Sequence, residues 1–485
     1  MEKSKQTFLK NMVGFSMVTW ISFVLGFIAS PISTRLFPTE ELGRLSLFSS
    51  YAGLLSSLCY LGLDQAFVRF FLETPGRSTR KSLFTFCTVV PLGFAALSIA
   101  VLSLFWPSVS QEIVGRPDGT VFLCFGIYSF CLVVFRFLSL CYRMEQNALL
   151  YTIQGVLFAL LTKIAYLSVG FSAPTGRAAL MMLTALTGVF TLVFILLQRS
   201  RFDVHFWRHT DAETVRALGA FALPLVPMSL LSWLNSYTSP LVLKHLLGYS
   251  ATGIYTSALG LASTISIIET GFNAYWAPYV LENYKSDDSR RFYTVHRLMA
   301  CMLTLFGLGI TLLQTPVFLL LGRAYRSSVV FFPFLFLSPI CYCLGETTSM
   351  GIDLSKKTYW KTIIYLFSAV VNIALCFVFI PFMGMSGAAL ASALSAVLTL
   401  ILRTVIGEHY YRVLESSRYL LYTIGLMGAA SFGNLWLTGW IKYAFLVAVL
   451  LLACWLYRGE LKTLVVTAGQ ILAVVRQKLQ GRRGA

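Results

Sequence analysis

The chain has 485 residues, of which 57% are hydrophobic and 12% charged, with a formal net charge of +18. A mean hydropathy of +0.74 and a charged fraction about half that of soluble domains exclude a soluble globular protein. The positive excess lies in short connections beside apolar segments, where cations face anionic lipid headgroups, so nucleic acid is excluded as a partner.

Hydropathy divides the chain into about fourteen apolar segments of membrane-spanning length. They fall at roughly 11–36, 43–71, 83–106, 119–142, 148–171, 179–198, 215–247, 250–281, 293–321, 328–352, 359–382, 386–406, 418–438 and 441–457. The first runs from near Asn11 to Leu36 without a small-residue cleavage site and is expected to be retained, unlike a signal peptide. The connections alternate in charge: Lys3, Lys5, Lys10, Arg77, Arg80, Lys81, Arg143, Arg199, Arg201, Arg208, Lys285, Arg290, Arg291, Lys356, Lys357, Arg412, Arg418, Arg458 and Lys462 fall on every second one. The intervening turns, 38–42, 107–119, 172–176 and 382–386, carry few cations, and Arg323 with Arg326 is the main exception. Both termini are therefore expected in the cytoplasm. Every connection is short, which leaves no room for a soluble domain.

After Arg458, apolar residues recur at helical spacing (Leu461, Val465, Ala468, Leu472, Val475, Leu479) and the chain closes on Arg476, Lys478, Arg482 and Arg483, the pattern of a helix lying on the cytoplasmic interface. Ten cysteines are scattered singly, apart from Cys341-x-Cys343 inside an apolar run, and read as packing residues. Most tryptophans fall near span ends, as interfacial anchors do. Pro31, Pro224, Pro227, Pro240, Pro278, Pro316, Pro333 and Pro339 interrupt spans and mark kinks, either static or used in a change of shape.

Ser30-Pro31 followed by Arg35 recurs as Ser239-Pro240 followed by Lys244, Gly43-x-Leu45 as Gly253-x-Tyr255, and Gly62-x-Asp64 as Gly271-x-Asn273. The first two spans thus match the seventh and eighth, and an even separation gives both halves the same orientation. The expected fold is an all-α polytopic membrane protein. Two parallel six-helix lobes, 1–210 and 211–410, enclose a central cavity, followed by two extra helices over 411–458 and the interfacial tail, 459–485.

Ionisable side chains inside spans are the strongest local signals, since a mid-helix Arg, Lys or Asp costs about 2.5 to 3.5 kcal/mol on insertion scales and needs a partner or a wet cavity. Arg136 lies well inside the fourth span, with Ser129, Ser139 and Arg143 on its face, and Lys163 at the middle of the fifth. Glu269 is central in the eighth, beside Ser266, Asn273 and Trp276, and Glu346 lies in the tenth with Tyr342 and Asp353. The second span ends with Asp64, Gln65 and Arg69, and the first with Arg35. Arg69, Lys244, Arg297, Asp353 and Arg403 lie near enough to span ends to snorkel. For Arg136, Lys163 and Glu269 the alternative to a cavity role is an ion pair between helices, and Asn235 and Asn372 either bind ligand or join helices. No P-loop, HExxH, nucleophile elbow or metal-ligand cluster occurs, and His205, His209, His245, His296 and His409 form no convergent site. Neither a catalytic residue nor a metal site is expected.

Three stretches carry a family resemblance: Pro31-x-x-x-Arg35-Leu leading to Leu42-Gly43-x-Leu45, then Gly62-Leu-Asp64-Gln65-x-x-x-Arg69-Phe70-Phe71, and Asn372-Ile-Ala-Leu375 leading to Ile380-Pro381-x-x-Gly384-x-x-Gly387-Ala-Ala-x-Ala391. The chain resembles the Wzx-type polysaccharide flippases of the multidrug/oligosaccharidyl-lipid/polysaccharide exporter superfamily over most of the first twelve spans. The resemblance implies translocation of a polyprenyl-diphosphate-linked oligosaccharide to the outer leaflet of a bacterial plasma membrane by alternating access. Under it, Arg35, Arg136 and Lys163 compensate the diphosphate, Gln65, Asn235 and Asn372 face the sugars, and Glu269, Asp64 and Glu346 serve ion coupling or gating. No cofactor is implied, sodium and proton coupling both stay open, and the partners are membrane lipids, a polysaccharide polymerase and glycosyltransferases. Three alternatives remain. A lipid II or spore-envelope precursor flippase shares the pattern. A multidrug cation antiporter would use Glu269, Glu346 and Asp64. A membrane-embedded glycosyltransferase or polymerase would need a large outer loop that these turns cannot supply.

Overall fold

The computed structural model describes residues 2–72, 78–172, 175–284, 289–357 and 359–466; Arg77, Lys285 and the tail positions beyond 466 lie outside the described residues. Nearly all of the described chain, 89%, is helical, without strands. One lobe contains α1 (Glu2–Leu36), α2 (Thr39–Cys59), α3 (Leu63–Phe70), α4 (Arg80–Ser103), α5 (Trp106–Val114), α6 (Gly119–Met144), α7 (Ala148–Ser172) and α8 (Gly176–Gln198), with the single turn α9 (Phe206–His209) in the connection. The second contains α10 (Ala212–Ala222), α11 (Leu225–Ala262), α12 (Ser266–Asn283), α13 (Ser289–Leu312), α14 (Gln314–Leu320), α15 (Phe332–Thr348), α16 (Met350–Leu354), α17 (Tyr359–Met383) and α18 (Met385–Tyr410). The two extra helices are α19 (Arg418–Trp436) and α20 (Gly439–Leu456).

Among the described residues, ten helices are long and apolar enough to cross a membrane, or up to twelve if each of two bent pairs is one span. The chain is thus a multi-pass membrane protein. The sequence-based expectation of about fourteen spans exceeds this count for identifiable reasons. Ala212–Ala262 counts once although Gly248, at φ +85°, divides α11, and neither Ser266–Asn283 nor Arg418–Trp436 is among the ten.

Three expected elements differ in detail, each for a backbone reason. The second span is not one helix: α2 and α3 meet at 52° around Leu61 and Gly62, both at positive φ. Gly62 also admits the neighbouring α10, since a Cβ there would fall 2.3 Å from the Ala222 carbonyl oxygen. The seventh span breaks between α10 and α11 at Leu223–Pro224, where proline has no N–H to donate. The turn over 107–119 holds a helix, α5, opened by Pro107 in its first turn and ended by Gly115 at φ +82°.

Each lobe has its own apolar core. Phe67, Phe84 and Phe137 anchor one side of the first, and Leu218 and Ala222 of α10 join it; Phe48, Phe125 and Leu183 fill its other side. In the second, Phe334, Phe336 and Leu344 of α15 pack with Met427 of α19 and Ala453 of α20. Leu461 leans on this core while Val465 stays exposed, so the described start of the expected interfacial tail is seated on the second lobe. Arg297 pairs with the buried Glu460 there, where the sequence suggested a snorkelling side chain.

Candidate functional site

The lobes join along α2 and α11 at the end of the bundle that holds Leu36, Thr39 and Gly248, hereafter the far face. The repeated glycines make this approach. A Cβ on Gly43 would fall 2.0 Å from the Tyr249 carbonyl oxygen, and one on Gly253 would fall 2.0 Å from that of Thr39, so no larger residue permits the crossing. Thr39 and Ser250 hydroxyls meet at 2.7 Å. Alongside, the Gly322 N–H donates to Thr34 Oγ1 at 3.2 Å and Tyr325 Oη to the Phe37 carbonyl at 3.0 Å. Outside the spans, Glu112 of α5 lies 2.6 Å from Lys244 Nζ and 3.3 Å from His245 Nε2, and accepts from Tyr51 Oη at 2.7 Å. Burial raises the Glu112 carboxyl, but the hydrogen bonds from Lys244 and Tyr51 and the Lys244 charge outweigh it and leave its pKa below the ordinary carboxylate value. Lys244 is therefore a buried partner in an interlobe ion pair, and its placement corrects the expectation that it snorkels.

Beneath this closure, a cavity of about 440 Å³ opens between the lobes. Its wall is rich in hydroxyls, Ser46 and Ser49 of α2, Tyr166 of α7, and Tyr237 and Ser257 of α11 among them, and it contains one ammonium group, Lys163. None of the salt bridges among the described residues involves Lys163. An unpaired cation in a span is costly unless the cavity is wet or holds an anion.

A second cavity, about 450 Å³, lies inside the second lobe and is lined from α11, α12, α15, α17 and α18. Glu269, Asn235, Asn372 and Arg403 all reach it. Successive residues of α11, Ser236 and Tyr237, belong to the walls of the two cavities in turn, so this helix borders both. Arg403 is 2% exposed; its Nη2 donates to Glu346 Oε1 at 2.6 Å and to Ser349 Oγ at 2.8 Å. The expectation that Arg403 snorkels fails because its counter-ion is on α15, well within the lobe. Glu269 makes no ion pair among the described residues.

The remaining candidates lie elsewhere. Arg136 Nη2 and Nε both reach Asp64 Oδ2, at 2.6 and 3.1 Å, and Gln65 Nε2 donates to the same oxygen at 3.1 Å. These three form one cluster in the first lobe and line neither cavity. Arg35 is exposed near the far face. Lys163 is thus the one of the three expected headgroup cations that lines the interlobe cavity. Sequence reasoning missed Glu112, whose connection was read for its scarcity of cations, and the ion-pair role of Arg403. The placement of both Arg403 and Glu346 inside apolar spans was the available signal for that pair.

Residues 8–284 match the family described as "Polysaccharide biosynthesis protein". No curated protein matches the chain. Among solved structures, the lipid II flippase MurJ in an inward closed conformation superposes with a TM-score of 0.66 at 12% identity, over 93% of this chain and 99% of that one. An inward-facing multidrug resistance MATE family transporter of the MOP superfamily gives 0.62 at 16% identity, over 80% and 94%. An outward-facing one gives 0.51 at 14%, over 84% and 96%.

Proposed function

Because the chain belongs to the polysaccharide biosynthesis protein family, we propose that it moves a polyprenyl-diphosphate-linked oligosaccharide from the cytoplasmic to the outer leaflet of a bacterial plasma membrane. The observation that carries the proposal is Lys163, an uncompensated ammonium in a hydroxyl-lined cavity between two lobes. A diphosphate cannot cross about 30 Å of hydrocarbon without compensating charge, and an ammonium supplies it without fixing one geometry. The hydroxyls around it donate to phosphate oxygens and sugars alike, and the polyprenyl tail stays in lipid.

The alternating basic connections favour a cytoplasmic N-terminus, which makes the far face the outer one. With the outer ends joined through Gly43, Gly253 and the Glu112–Lys244 pair, the cavity is set to load from the cytoplasm. Rocking of the lobes would then part α2 from α11 and release the headgroup outside. Arg136 is not assigned to the headgroup, because Asp64 already neutralises it.

The test is leaflet translocation of a fluorescent polyprenyl-diphosphate oligosaccharide in proteoliposomes. The parent protein is expected to transport it and Lys163→Ala to lose most of that rate. Efflux of organic cations without lipid translocation would replace this reading with a multidrug antiporter.

A further inference from the structure

The two cavities differ in the ionisable group that each leaves without a counter-ion. The interlobe cavity contains Lys163. In the second-lobe cavity Arg403 and Glu346 neutralise each other at 2.6 Å, and the group left over is the Glu269 carboxyl. The nearby Lys361 does not alter the balance, since it pairs with Asp353 at 2.7 Å.

The second cavity is also built for a ligand that both donates and accepts hydrogen bonds. Asn235 Nδ2 donates to the carbonyls of Leu231 and Tyr365 at 3.0 and 2.9 Å. Two carbonyl partners fix the amide orientation and leave Oδ1 as an acceptor. Asn372 accepts only a weak contact from Cys376 Sγ at 3.5 Å among the described residues. Tyr342 and Tyr365 add ring surface to the wall. Polar acceptors, a carboxyl and aromatic rings around about 450 Å³ suit a hydroxylated, compact group more than a lipid chain or a small anion.

We propose that this cavity is the glycan-reading subsite, and that Glu269 makes it select neutral or amine-bearing sugars over uronate-bearing ones. The inference rests on the flippase reading and adds a substrate class to it. Sugar hydroxyls or an ammonium group satisfy the Glu269 carboxyl and the Asn235 oxygen together. A uronate would bring a further carboxylate beside Glu269, into a cavity whose one guanidinium already balances the charge of Glu346.

The test uses the full chain in nanodiscs and three probes: geranylgeranyl diphosphate, the same lipid bearing glucosamine, and the same lipid bearing glucuronate. The glucosamine probe is expected to bind at least about tenfold more tightly than the glucuronate probe, a modest outcome for one charge inversion at a partly buried site. Glu269→Gln should bring that ratio to about one while leaving the bare diphosphate lipid unaffected, which also certifies that the variant is folded. Asn235→Ala should weaken both glycosylated probes and not the bare one. A parent ratio near one, or a ratio that survives Glu269→Gln, overturns the glycan subsite and spares the flippase reading. Failure of the parent to bind any of the three lipids overturns both.

Discussion

Both lobes hold an arginine against a carboxylate between two helices, yet the two pairs are not equivalent. Asp64–Arg136 joins α3 to α6 with 37% of the arginine side chain exposed, whereas in Glu346–Arg403, joining α15 to α18, the figure is 2%. In the first lobe both contacting nitrogens fall on one oxygen, with Tyr60 beneath the guanidinium at 5.9 Å. In the second, Arg403 Nε and Nη1 are buried without a hydrogen-bond partner. Loss of Asp64 would leave a guanidinium that keeps an exposed edge. Loss of Glu346 would strand a guanidinium with almost no exposed surface. The comparison separates a fixed element, around which the second-lobe cavity is built, from a softer one.

The largest effect should follow from Glu346→Ala, which leaves Arg403 unpaired and is expected to cost about 3 to 5 kcal/mol of stability. Asp64→Ala removes the matching carboxylate from a less enclosed arginine and should cost less, about 1 kcal/mol. Thermal unfolding of both variants in one detergent measures the difference, and equal losses would show that exposure does not distinguish the lobes. Glu346→Gln combined with Arg403→Met should recover much of the loss, because replacing a buried pair is far cheaper than breaking it.

A mid-sized effect is expected where the lobes touch. Gly43→Val inserts side-chain atoms where a Cβ alone would meet the Tyr249 carbonyl at 2.0 Å. Overpacking of this kind costs about 1 to 3 kcal/mol, and here the strain can be relieved by parting the lobes. Spin labels at Arg116→Cys and Arg323→Cys report this directly, since both positions are exposed and nine of the ten native cysteines are buried. Gly43→Val should shift the label distances to longer values; an unchanged distribution would mean that α2 and α11 do not set the closure.

These contacts also mark how far sequence reasoning reaches. Charge alternation and hydropathy suffice for the membrane class, because both are local properties of consecutive residues, and the two-lobe plan came from the internal repeat. The repeat matched Gly43 with Gly253, but a match in sequence does not say that the two glycines face each other across the interface. Pairing across the fold was the part that stayed hidden. Asp64 and Arg136 were given separate roles although they neutralise each other 72 positions apart. Lys244 and Arg403 looked like snorkelling residues because their acids, Glu112 and Glu346, come from other helices. Periodicity reports which face of a helix is apolar, and it carries no information about which distant helix packs there.

The smallest effect concerns the third ion pair, which joins the lobes instead of bracing one. Glu112 is 40% exposed while its partner Lys244 is 8% exposed, so water and protons reach the carboxylate side. The closed arrangement holds the Glu112 carboxyl below its ordinary value of 4.5. A carboxyl depressed in this way supports closure above its ordinary value and loses that support as the pH falls through the depressed one. The Arg116–Arg323 label distance is therefore expected to stay constant from about pH 8 to about pH 5 and to lengthen only below the ordinary carboxylate range. Glu112→Gln should remove the acid step and show a more open distribution throughout. A distance that already lengthens above about pH 5 would show that Glu112 does not set the transition. The intralobe pairs should not respond in either case, since protons must reach a carboxylate before they can part it from its arginine. Opening without unfolding on acidification would thus separate the pair that moves from the two that hold.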